Sequence, residues 1–84
     1  MVRILYFAWL RERTGRAEET IPVPDGVATV GALLAWLRAR DEAGAAAFAN
    51  PALIRAAVNQ AFAQPDTPIA AGDEVAFFPP VTGG

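Results

Sequence analysis

The chain opens on a run in which one charged residue, Arg3, interrupts an apolar stretch from Val2 to Leu10 that carries Ile, Leu, Tyr, Phe and Trp. Such residue types around a period of two predict a strand over residues 2–10. With Arg3 outward, Val2, Ile4, Tyr6 and Ala8 face inward, and Leu5, Phe7 and Trp9 fall on the outer face. A monomer does not ordinarily display that much apolar bulk, so another part of the chain or a partner is expected to cover it. Thr14-Gly15 supplies a turn, after which Glu18 to Val23 returns as a second strand. Pro22 lacks the N–H that a central strand needs, which assigns this strand to a sheet edge. Pro24-Asp25-Gly26 is a turn signal. Thr29 then offers an N-cap oxygen, and Val30, Leu33, Leu34 and Leu37 at i, i+3, i+4 and i+7 predict an amphipathic helix ending between Arg40 and Gly44.

The alanine-rich stretch from Ala43 to Ala52 is broken by Gly44 and Pro51 and has no clear period, so it reads as a loop or a loose short helix. Leu53 to Asn59 reads as a strand, with Ala61 to Ala63 as a short continuation. Pro65 to Pro68 and Ala71-Gly72-Asp73 are turns. Glu74 to Phe78 is the last strand, with Val75 and Phe77 on one face and Ala76 and Phe78 on the other. This order predicts an α+β domain, one mixed sheet with one main helix packed across it, in which the helix carries the chain to a strand parallel to the first. That is the arrangement of a β-grasp, or ubiquitin-like, roll. A ferredoxin-like alternative needs a second long helix, which residues 60–84, with four prolines and three glycines, do not provide.

Eighty-four residues make one domain, which excludes a two-domain enzyme. Nineteen of the apolar residues are alanine, so the core is small and leaves little room for a deep pocket. The chain has no Cys, no His and no Lys, and all seven basic residues are arginine. Disulfides, zinc fingers, Cys or Ser-His nucleophiles and Schiff-base chemistry are thereby excluded, and no metal site is expected. A net charge of −2 with scattered arginines argues against nucleic acid. No run approaches the roughly 18 apolar residues of a membrane span. Arg11, Glu12 and Arg13 follow the first apolar run where a signal peptide has small residues, so a cytoplasmic protein is expected.

The C-terminal run Phe77-Phe78-Pro79-Pro80-Val81-Thr82-Gly83-Gly84 concentrates the chemistry. Two prolines restrict the chain to extended conformations and remove ladder donors, so the sheet stops there. The chain thus divides into a domain of residues 1–79 and a tail of residues 80–84, which reaches up to about 17 Å at about 3.4 Å per residue. Gly83 and Gly84 have no Cβ and suit a narrow channel. A carboxylate is a poor electrophile and needs external activation, as an acyl-adenylate made by an ATP-using partner. A persulfide displacing AMP leads to a thiocarboxylate, and a lysine leads to an isopeptide. Thr82 is a spacer, because no base in the chain activates it.

The sequence resembles the sulfur-carrying small subunits of molybdopterin synthase, the MoaD type. The resemblance rests on Leu5-Tyr6-Phe7-Ala8, Leu10-Arg11-Glu12, Thr14-Gly15, Ala57-Val58-Asn59-Gln60 and Asp66-Thr67-Pro68-Ile69, and above all on Gly72-Asp73-Glu74-Val75-Ala76-Phe77-Phe78-Pro79-Pro80-Val81-Thr82-Gly83-Gly84. It implies that Gly84 is adenylated by an E1-like enzyme of the MoeB type, at the expense of ATP, and converted to a thiocarboxylate with sulfur from a persulfide donor. The tail, Pro80, Val81, Thr82 and Gly83, then enters the active site of a MoaE-type large subunit. There it donates sulfur to cyclic pyranopterin monophosphate, and two transfers make the molybdopterin dithiolene. The resemblance further implies a heterotetramer whose catalytic side chains belong to the large subunit, so the chain alone is not an enzyme and binds no cofactor beyond the sulfur it carries. Phe7, Phe62 and Phe78 match positions of a hydrophobic docking surface for which the two partners compete. A carrier for thiazole synthesis or tRNA thiolation, a protein modifier, and an interaction module with an inert tail remain as alternatives.

Overall fold

The computed structural model describes residues 1–80. Strand β1 runs over Val2–Tyr6, helix α1 over Trp9–Thr14, β2 over Glu18–Ile21, α2 over Val30–Arg40, α3 over Glu42–Ala47, β3 over Arg55–Val58, β4 over Ala61–Ala63 and β5 over Glu74–Phe78, with a single 3-10 turn at Pro51–Leu53. The strands form one sheet in the order β2-β1-β5-β3-β4. β2 sits at an edge as expected, but it ends at Ile21, so Pro22 falls just past the strand expected over Glu18 to Val23; the fold is the expected β-grasp.

The first strand is shorter than its apolar run. At Ala8 the backbone takes φ 56° and ψ −132°, and the Leu10 N–H donates to the Phe7 carbonyl at 3.2 Å. These are the marks of a type II′ turn with alanine where glycine is preferred. The chain leaves the sheet there and enters α1. Trp9 therefore does not point out from a strand: it packs half-buried against the core, with the Arg13 guanidinium 4.4 Å from its ring centroid. The turn at Thr14-Gly15 is the end of α1, where Gly15 adopts the left-handed conformation at φ 78°.

Helix α2 begins where its cap predicts, the Thr29 hydroxyl accepting from the Ala32 N–H at 3.2 Å. Its Val30, Leu33 and Leu37 are buried. The strand reached after the helices corrects one expectation. β1 is parallel to β5, the last strand, with Tyr6 opposite Phe77, whereas β3 is antiparallel to β5 and so opposed to β1. The cause lies in residues 41–54, which reverse the chain before β3 starts.

That alanine-rich stretch is ordered structure. The Asp41 side chain caps α3 by accepting from the Gly44 N–H at 2.7 Å, and a Cβ on Gly44 would overlap the Leu37 carbonyl oxygen. Small residues here let α3 close against α2. The segment ends on Phe48, wholly buried, whose ring meets Phe77 edge-on at 5.4 Å and Tyr6 at 6.2 Å. Phe48 thus fills the centre of a core built from Ile4, Tyr6, Leu10, Leu33, Leu37, Val75 and Phe77. Among the described residues no helix is long and apolar enough to cross a membrane.

Candidate functional site

The register sorts the outward side chains of the sheet into cross-strand rows. Thr20, Arg3 and Glu74 make one row. Leu5, Ala76, Ala57 and Phe62 make the second. Phe78 stands beside Arg55 in the third, and Phe7, whose N–H donates to the Phe77 carbonyl at 3.1 Å, extends β1 into that row.

The first row is polar and self-satisfied. Arg3 donates to Glu18 at 2.6 and 2.9 Å and lies 3.6 Å from Glu74. Beside it, Asn59 and Gln60 form the two-residue turn between β3 and β4, both at positive φ, as a type I′ hairpin demands. The Asn59 amide donates to Asp73 at 3.0 Å and accepts from the Glu74 N–H at 3.0 Å. The Asn59 donor, followed by the Ala70 N–H, holds the Asp73 carboxyl below the usual carboxylate range. The Asn59-Gln60 pair is therefore structural.

The other two rows are largely apolar, with Glu18 opposite Leu5 at the edge of the second and Arg55 in the third, and two of their rings are uncovered. Phe62 is 84% exposed and Phe7 49%. Phe78 is half-buried, its ring 6.0 Å from that of Phe62 and tilted by 56°. Ala57 and Ala76, side by side between them, form a shallow floor bounded by the rings. No segment of the chain from 1 to 80 covers this patch. Contiguous exposed apolar surface of this kind marks an interaction site. Phe78 is also the last residue of β5, and Pro79 and Pro80 follow it half-buried. The apolar end of the face and the root of the tail therefore coincide. Phe7 and Phe78 stand on the outer face, as their parity predicts, Phe62 lies beside Phe78 and Pro80 follows at the root of the tail; Val81, Thr82, Gly83 and Gly84 lie outside the described residues.

Beneath β1, on the helix side, a second feature holds the scaffold. The Glu19 carboxylate accepts two hydrogen bonds from Arg40 at the end of α2, at 2.7 and 2.8 Å, one from the Tyr6 hydroxyl at 2.6 Å and one from Arg16 at 3.1 Å. Its side chain is 12% exposed. The Arg40 hydrogen bonds, against the cost of burial, hold the Glu19 carboxyl down at about 2. Burial and the Glu19 hydrogen bond push the Tyr6 hydroxyl well above its ordinary range. Nothing in the sequence pattern singles out Glu19, since Glu18-Glu19 reads as a pair of solvated edge acids. Likewise, the alanine floor emerges only once register is known.

Comparison with known proteins agrees with this architecture. The sequence profile of the ThiS family matches residues 4–84. The chain is 43% identical to the molybdopterin synthase sulfur carrier subunit of Escherichia coli K12 over 84 residues, covering all of both chains. It is 37% identical, again over the whole of both chains, to the subunit of the same name from Haemophilus influenzae. Among solved structures, small archaeal modifier protein 1 of H. volcanii superposes with a TM-score of 0.74 at 30% identity, over 95% of this chain and 97% of that one. The chain belongs to the ThiS family, and its full-length likeness is to sulfur carrier subunits of molybdopterin synthase.

Proposed function

We propose that this chain is the sulfur-carrying subunit of a molybdopterin synthase. Gly84 is the site of chemistry: a MoeB-type partner adenylates its carboxylate with ATP, releasing pyrophosphate; the terminal sulfur of a persulfide donor displaces AMP to give an acyl disulfide, and a partner thiol cleaves its S–S bond, becoming a disulfide itself and leaving a terminal thiocarboxylate. A MoaE-type large subunit then receives the tail, and sulfur passes to cyclic pyranopterin monophosphate. The observation that carries this reading is the coincidence of the patch formed by exposed Phe7 and Phe62 and half-buried Phe78 with the point where β5 gives way to Pro79 and Pro80. A protein seated on the patch has the tail at its margin. Residues 1–79 thus act as a docking domain and residues 80–84 as the delivered group.

The patch itself binds and does not react, because the ionisable groups in its rows are Glu18, already engaged by Arg3, and Arg55. Burying a Phe contributes roughly 1.5 to 3 kcal/mol, so three rings supply useful affinity after the cost of association. The activating enzyme and the large subunit compete for the same rings. The test is reconstitution: charged full-length protein with the large subunit restores molybdopterin formation, and protein lacking Gly84 does not while still binding. Restoration by the protein lacking Gly84 would overturn the assignment.

A second reading, attachment to lysines of other proteins, has one observation in its favour, the likeness to a protein named as a modifier. Covalent adducts on other proteins, with no molybdopterin made, would select it.

A further inference from the structure

A groove of about 860 Å³ opens between α2 and the start of β3, away from the alanine floor of the outer face. Val30, Leu34, Ile54 and Ala56 line it, with the buried Phe77. The small side chains at Ala56 and Ala63, paired across β3 and β4, leave this space unfilled. Arg38 and Arg55 also line it, and no Asp or Glu does. Among the described residues neither guanidinium has a carboxylate within 4.0 Å, and Arg55 donates only to the carbonyls of Ala52 and Ile54. In a chain of net charge −2, this apolar groove is a place where positive charge stands alone.

The shape selects the occupant. Helix α2 lines the groove from Val30 to Arg38, about 12 Å at about 1.5 Å per residue, which matches about four residues of extended chain. Phe62 and Phe78 line the groove as well as the outer face, so a protein resting on that face has direct access. Among the exposed acids, Glu18 is engaged by Arg3, and none of Glu12, Asp25, Asp41, Glu42 and Asp66 lines the groove.

We infer that the groove is a second docking site, which takes a short extended apolar segment of a partner protein with an Asp or Glu at its end. The apolar side chains fill the space over Ala56 and Ala63, and the carboxylate pairs with Arg38 or Arg55. This inference does not depend on the sulfur chemistry of the tail.

The probe is a fluorescein-labelled hexapeptide, Asp-Leu-Ile-Val-Leu-Glu, titrated into the full chain by anisotropy and by amide NMR. A control peptide carries Lys at both acidic positions. The acidic peptide binds roughly tenfold or more tightly than the control and shifts the amides of Leu34, Ala35, Ala56 and Ala63. Arg38→Glu and Arg55→Glu each weaken it roughly tenfold, Ala35→Trp fills the groove and abolishes binding, and Phe7→Ala leaves it unchanged, all with unaltered circular dichroism. Equal binding of both peptides, no binding at about 1 mM, or shifts confined to Leu5, Ala57 and Ala76 would overturn the inference. So would a dimer that Ala35→Trp dissociates, which assigns the groove to a second copy. Peptide affinity that rises roughly tenfold when residues 81–84 are removed assigns it to the chain's own tail, with the same consequence.

Discussion

Replacing Glu19 by Gln keeps the shape of the side chain and removes the charge that Arg40, Tyr6 and Arg16 converge on. The cost follows from the depressed titration of the carboxyl. Its ordinary value is 4.5 and in the fold it lies at about 2, which corresponds to about 3 kcal/mol of stability. Because the folded value is the lower one, this stability is fully present above pH 4.5 and is lost as the pH falls toward 2. The substitution also leaves Arg40, a quarter exposed, with only the Asp41 carboxylate at 3.5 Å, which keeps the loss at about 3 kcal/mol, the low end for a broken buried pair. Urea denaturation followed by circular dichroism measures both effects. At pH 7 the variant is less stable by about 3 kcal/mol, and the gap narrows as the pH drops from 5 to about 2. A variant as stable as the parent at pH 7, or one that keeps the parent's full acid sensitivity, would refute the reasoning that this pair ties β2 to α2.

Three further outcomes are expected. Phe62→Ala changes folding stability by less than about 0.5 kcal/mol, because the ring is 84% exposed, yet weakens large-subunit binding by roughly tenfold or more in calorimetry. Gly44→Ala lowers stability by about 1 to 3 kcal/mol in thermal melts, since the added Cβ meets the Leu37 carbonyl, which cannot yield without moving α2. Ala8→Gly raises stability by up to about 1 kcal/mol, because positive φ at Ala8 is strained and the relief exceeds the added chain entropy; an unchanged midpoint would contradict the strain.

Much of the architecture was legible in the sequence because it rests on local rules. The period of α2 and its Thr29 cap, the edge position of the strand before Pro22, and the alternating faces of Glu74–Phe78 are each decided within a few residues. What was missed required tertiary information. The apolar run from Val2 to Leu10 continues through Ala8 without a break, so nothing announces the turn that moves Trp9 onto a helix. Residues 42–47 look unpatterned because their small side chains serve close approach to Leu37 instead of forming an apolar stripe. The parallel partner of β1 turned on how α3 and the 3-10 turn redirect the chain. The rings of the docking face were readable from parity at Phe7 and Phe78, whereas Ala57 and Ala76 become a floor only when four strands are in register.

The central claim is that Gly84 carries sulfur, and the C-terminal mass of the protein isolated from cells tests it most directly. The account predicts a fraction of chains, lost on Gly84 deletion, whose C-terminal peptide is heavier by the exchange of one oxygen for one sulfur. A C-terminus that stays a plain carboxylate in cells actively making molybdopterin, and in a reaction with ATP, an active adenylating partner and a persulfide donor, would contradict it.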